Sequence, residues 1–234
     1  MWGGAAGRAR ILVRGVGAGA YPWGVASSRV FLLSPANTGG KRAGYLFNDA
    51  ARFELARRVR TPAGAPIGEV FTFLSGLYFR GKVAYARRFA REGAAWVITT
   101  DRGLVGVDEP ITVGDLRAMA EVDLHAGEER YRRPLERDVA RVAEEIGAGG
   151  EAVLLGSVAS GKYVDVLGGI LGERLKFPRD FVGRGDMSRG ALMLRCAAAG
   201  RELEYVSVVG AERTGRRAGR VENWVNKNDG ASGE

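Results

Sequence analysis

The chain has 234 residues, 35 Lys and Arg against 27 Asp and Glu, a net charge of +8 and a sequence pI near 10.0. That length suits one α/β domain with an ample core, and the basic balance favours polyanionic partners such as DNA or RNA. With one cysteine, Cys196, and one histidine, His125, an internal disulfide and a Cys/His zinc site are excluded, and Cys–His catalysis finds no support.

Residues 1–27 are rich in Gly, Ala and Arg and lack a continuous apolar run, which argues against a secretory signal. They read as a flexible arm, or as an upstream extension. No apolar run reaches membrane-spanning length, so a cytoplasmic protein is expected. Arg29-Val-Phe-Leu-Leu-Ser34 is the first strand, short and continuously apolar as buried parallel strands are. The loop Ser34-Pro-Ala-Asn-Thr-Gly-Gly-Lys-Arg-Ala-Gly44 follows, with positive charge on Lys41 and Arg42.

Asn48 or Asp49 can cap a helix whose apolar face is Phe53, Leu55, Ala56 and Val59. Thr61 to Pro66 breaks the pattern, and residues 69–78 are apolar and aromatic. Arg80 to Arg91 reads as a basic amphipathic helix with Val83, Ala86 and Phe89 or Ala90 inward. Ala94 to Thr100 is a second strand, followed by the acidic turn residues Asp101, Asp108 and Glu109. Thr112-Val-Gly-Asp115 has capping-box spacing and opens a helix through Ala120.

Arg133 to Ile146 is the clearest helix, with Leu135, Val139, Val142, Ala143 and Ile146 on one face and Gly147 as its stop. The run 152–155 is a third strand, and a helix opens at Gly161-Lys162-Tyr163. Leu175 to Phe177 is a short strand, 181–190 a polar Gly-rich loop, and 202–209 a last strand. Alternating strands and helices predict one α/β domain over 28–210, three-layered, with a mostly parallel central sheet flanked by helices. Residues 211–234 read as a basic mobile tail.

Three segments carry candidate chemistry. Gly156-Ser-Val-Ala-Ser-Gly-Lys162 has the spacing of a phosphate-cradling loop between a strand and a helix, with Ser157 and Lys162 as its ligand groups. Tyr163, however, stands where Ser or Thr should hold magnesium. Arg184, Asp186 and Arg189 form an unusual polar cluster in a Gly-rich stretch, suited either to phosphate or a base edge or to an internal ion-pair network. Asp101 either caps a turn or lines the same cleft.

The strand with Ser34-Pro-Ala-Asn-Thr-Gly-Gly-Lys-Arg-Ala-Gly-Tyr-Leu-Phe47 resembles the first active-site segment of the uracil-DNA glycosylase superfamily. Val153 to Lys162 is similar to that family's later Gly-Ser turn, and Phe177 to Gly190 lies where it places its DNA-entering loop. Leu32-Leu-Ser-Pro-Ala36 and 100–111 also resemble the YaaA peroxide-stress family and related uncharacterised domains. These resemblances imply a nucleic-acid- or nucleobase-binding protein connected with DNA repair or stress.

They also imply Asn37 as a water-positioning group and Asp186 as the polar group of the later loop. Binding would fall to Ser34, Lys41, Arg42, Tyr45, Asp101, Ser157, Lys162, Arg184 and Arg189. The family's usual Asp–His pair is missing: the first loop has Asn37 and the later loop has no His. Tyr45 and Phe47 are either a platform for an extruded base or core aromatics. If catalytic, the protein would be a hydrolase or glycosylase on a nucleobase-containing substrate. The alternatives are an enzyme on a small phosphorylated substrate, using the 156–162 loop, and a non-catalytic stress or interaction protein. No metal, cofactor or membrane is expected.

Overall fold

The structure is a computed structural model that describes residues 29–159 and 161–211. The expected arm and all but the first residue of the expected tail lie outside the described residues. The fold is α/β. Its main sheet has six strands in the order β4-β3-β1-β6-β7-β8. They are β1 (Arg29–Leu33), β3 (Ala95–Ile98), β4 (Leu104–Gly106), β6 (Glu151–Leu155), β7 (Leu175–Pro178) and β8 (Tyr205–Ser207). A small antiparallel pair is formed by β2 (Ala65–Pro66) and β5 (Pro110–Ile111).

The central strands β3, β1, β6 and β7 run parallel, while β4 and β8 close the two edges antiparallel. Three of the parallel strands, β1, β3 and β6, carry continuous apolar runs. Phe31, Leu32 and Leu33 in β1, and Ala152 to Leu155 in β6, have no exposed surface. Arg29 at the amino end of β1 pairs with Glu151 of β6 and with Glu202.

The helices are α1 (Lys41–Phe47), α2 (Glu54–Arg58), α3 (Ile67–Ser75), α4 (Leu77–Phe89), α5 (Val113–Ala120), α6 (Glu129–Ile146), α7 (Gly161–Leu171) and α8 (Asp186–Ala199). The Thr112–Asp115 capping box forms at the start of α5. Helix α6 starts a turn earlier than expected. Pro134 lies inside it rather than at its first position, and Tyr131 joins Leu135, Val139, Val142 and Ile146 on the buried face. Among the described residues no helix is long and apolar enough to cross a membrane.

Three segments differ from their sequence reading. Lys41 to Gly44, expected as loop, is the first part of α1. The aromatic stretch 69–78 is shared between α3 and α4, which meet at Gly76 with φ 61°, a left-handed turn that glycine accepts without strain. The polar loop expected at 181–190 ends early, because α8 begins at Asp186. Its glycine, Gly190, is a packing residue. A Cβ there would lie 2.7 Å from the Leu77 carbonyl oxygen, and one on Gly81 would lie 2.6 Å from the Gly190 carbonyl oxygen. Bare backbone on both helices lets α4 and α8 pack in contact, which no larger residue would permit.

Candidate active site between β1 and β6

Strand order locates a candidate site. From β1 the chain leaves toward β3 on one side; from β6 it leaves toward β7 on the other. The connections diverge between these neighbours, and α/β sheets hold their ligands beyond the strand ends at such a switch point. Ser34 follows β1 and Gly156 follows β6. A Cβ on Gly156 would lie 2.7 Å from Ser34 Cβ and 2.9 Å from Ser34 Oγ, so the two loops touch here.

Beneath them lies Lys82 of α4, only 1 % exposed. Its Nζ donates to the Ser34 carbonyl oxygen at 2.9 Å and sits 2.7 Å from Ser34 Oγ. It also lies 4.1 Å from the centre of the Tyr78 ring. Burial lowers its pKa to about 7, against the pull of the Asp186 carboxylate and with the push of Arg189. Near neutral pH the amine is therefore divided between charged and neutral forms.

A neutral amine can donate one N–H to the Ser34 carbonyl and accept the Ser34 hydroxyl proton on its lone pair. Tyr163 of α7 continues the polar chain. Its hydroxyl donates to the Ser157 carbonyl oxygen at 2.8 Å, and a Cβ on Gly156 would lie 3.1 Å from it and 2.9 Å from Ser34 Oγ. Burial raises the phenol pKa of Tyr163.

Two other phenols nearby are buried without a hydrogen-bond partner, Tyr78 Oη and Tyr131 Oη. Burial pushes both pKa values well above the ordinary tyrosine range. Arg189 acts electrostatically on Tyr78 but without hydrogen-bond geometry. An unpaired buried hydroxyl is costly, so its place beside a buried amine marks a site rather than a packed core.

The sequence-derived candidates divide into groups. Ser34, Ser157, Asp186 and Arg189 belong to this constellation. Arg189 is buried and donates twice to the Phe181 carbonyl oxygen, at 3.0 and 3.1 Å, while its Nη1 reaches Asp186 at 3.5 Å. Asp186 is exposed at the first position of α8. Arg184 is half-buried, touches Ser188 Oγ at 3.3 Å and keeps a buried Nε without a partner. Asn37 is exposed, and its Oδ1 accepts the Gly39 backbone N–H at 3.1 Å, a local turn contact.

Asp101 pairs with Arg102, which also bridges to Asp115 at 3.0 Å. Lys162 is exposed in the first turn of α7. A Cβ on Gly161 would lie 2.1 Å from Asp165 Oδ2, so a carboxylate occupies the start of the helix where a phosphate would need positive potential. Among the described residues no group of three His, Cys, Asp or Glu side chains is placed to hold a metal ion. Two open grooves, of about 420 and about 490 Å³, lie along α3–α4 and beside β3–β4. Ser34, Lys82 and Tyr163 line neither, so chemistry rather than concavity locates the site.

Lys82 and Tyr78 were not singled out from sequence, and Tyr163 was read only as a departure from a phosphate loop. The signal for Lys82 was its register: Tyr78, Phe79, Tyr85 and Ala86, three and four residues away on either side, are all buried.

Lys41, Arg42 and Tyr45 lie on α1, which follows the loop from Ser34. Tyr45 is 50 % exposed and Phe53 40 %, the latter stacked on Phe73 at 5.3 Å. Lys41, Arg42, Arg52, Arg57, Arg60 and Arg117 surround α1 and α2, and none is in an ion pair among the described residues. Arg42 donates to the Phe73 carbonyl oxygen at 3.2 Å and lies against Gly76, two residues before Tyr78, so this face adjoins the constellation. Comparison with known proteins adds no relative: no family model, no curated protein and no solved structure matches the chain.

Proposed function

We propose that this protein binds single-stranded nucleic acid along α1 and α2 and admits an unstacked nucleobase to the site between β1 and β6. The observation that carries this reading is the pair of exposed aromatic rings, Tyr45 and Phe53, set among six cations that have no ion-pair partner among the described residues, beside the loop from Ser34. Bases stack on such rings while phosphates meet the cations, and neither contact demands a sequence. The resemblance to uracil-DNA glycosylases and to the YaaA family supports the same partner and a role in DNA repair or stress, in the cytoplasm.

The reading includes a single three-layer domain. The strand order sends β1 to β3 and β6 to β7 in opposite directions, and crossovers of the usual right hand would then put helices on both sheet faces. The packing of α4 on α8 and of α6 on α7 supports two such layers.

Fluorescence anisotropy with a short labelled oligothymidylate tests the reading. Binding should weaken steeply with salt, with a log–log slope of about −0.7 per phosphate contacted. Replacing Tyr45 and Phe53 together by Ala should cost about 1–3 kcal/mol per stacked base. Absence of binding at low salt, or an affinity indifferent to salt, contradicts it.

A further inference from the structure

We propose that Ser34 Oγ is a nucleophile toward a phosphodiester of the bound strand, and that Lys82 is the base that takes its proton. The inference takes its substrate class from the nucleic-acid reading above; its chemistry rests on the site itself. A serine hydroxyl is a weak nucleophile until an adjacent base accepts its proton. Lys82 Nζ stands 2.7 Å from Ser34 Oγ, in a buried polar cluster that also holds Tyr163, whose hydroxyl donates to the Ser157 carbonyl.

The groups facing the amine are Tyr78 and Phe79 on its own helix, Ser34 after β1, and Asp186 and Arg189 on α8. One anion is set against one other cation, so burial decides its charge. An exposed lysine would be fully protonated and useless as a base. The other cation of the site, Arg189, favours a phosphorus centre over a neutral carbonyl.

In the first step the Ser34 proton passes to the Lys82 lone pair as Oγ bonds to phosphorus. The bond from phosphorus to the leaving oxygen breaks, and the Lys82 ammonium returns the proton to that oxygen. Water then attacks the phosphoserine diester, Lys82 takes a proton from the water, and Oγ leaves and recovers it. The net reaction is hydrolysis.

A small fluorophosphonate, followed by intact mass and peptide mapping, tests the pair without any strand. One adduct on Ser34 is expected, forming faster as pH rises through about 7. Lys82→Met should slow it about 100-fold, the usual scale of general-base catalysis. Absence of an adduct on Ser34, an unchanged rate in Lys82→Met, or a flat pH profile in the unaltered protein overturns the proposal. The last holds even if the variant does not fold.

Bis(4-nitrophenyl) phosphate and 4-nitrophenyl butyrate decide the substrate. Turnover of the phosphodiester, lost in Ser34→Ala, is expected; turnover of the carboxylic ester alone overturns the phosphodiester assignment. Labelling of Ser34 in a protein that binds no oligonucleotide would remove the strand reading and leave the nucleophile standing, so the two failures are distinct.

Discussion

A lysine inside a protein must either keep its charge at a large solvation cost or give up its proton. Lys82 takes the second course, and the consequence is a pH-dependent stability. Between about 7, its folded pKa, and the ordinary 10.5, the unfolded chain binds the extra proton and the folded chain does not. Stability therefore rises with pH across that window. Above it the buried phenols reverse the slope. Tyr78, Tyr131 and Tyr85, the last raised to about 12, hold their protons in the folded chain after the unfolded chain has lost them. Urea unfolding from pH 6 to 11 should show a rise followed by a fall, and Lys82→Met should flatten the rise. A rise that survives this substitution would mean another group causes it. Ser34, Asp186 and Arg189 were legible as candidates because small and charged residues at strand ends attract notice. Lys82 was not, because on a helix that also carries Arg80, Arg87, Arg88 and Arg91 it reads as one more solvated cation. Tyr163 looked like a fault in a phosphate loop; in the fold its hydroxyl donates to the Ser157 carbonyl in the turn after β6.

Between elements, the contact of α4 with α8 brings Tyr78 and Lys82 to Asp186 and Arg189, and it depends on two glycines. Gly81→Ala or Gly190→Ala would drive a methyl into the facing backbone, at an expected cost of about 1–3 kcal/mol or more. Gly168 of α7 has open space around it, so Gly168→Ala should instead stabilise by about 0.5–1 kcal/mol. Chemical denaturation of the variants checks the opposite signs; equal behaviour would show that α4 and α8 are not held at this distance. Periodicity exposed α6 because its face is uniformly apolar, and chain chemistry exposed the Thr112–Asp115 cap. Helix α8 was hidden because Gly185, Gly190 and three charged residues imitate a loop, and only the partner helix explains why a glycine is wanted there.

For the whole molecule, the parallel centre of the sheet was legible in the continuous apolar runs of β1, β3 and β6, which need cover on both faces. The antiparallel edges were not: β4 and β8 are three residues each and are fixed by pairing to β3 and β7, a long-range fact. Nor could the chain order alone show that β1 and β6 become neighbours. That adjacency makes the site, since it sets Ser34 against Gly156 above the Lys82 amine. The charge of the chain is not spread evenly, and the cations around α1 and α2 include Arg42, which lies against Gly76, two residues before Tyr78. The chain holds five lysines, so side-chain NMR of lysine-labelled protein can follow each amine through a pH titration. One lysine, assigned by its loss in Lys82→Arg, should titrate near 7. Titration of that lysine near the ordinary 10.5 would mean that Lys82 stays an ammonium, and that the site between β1 and β6 holds no base.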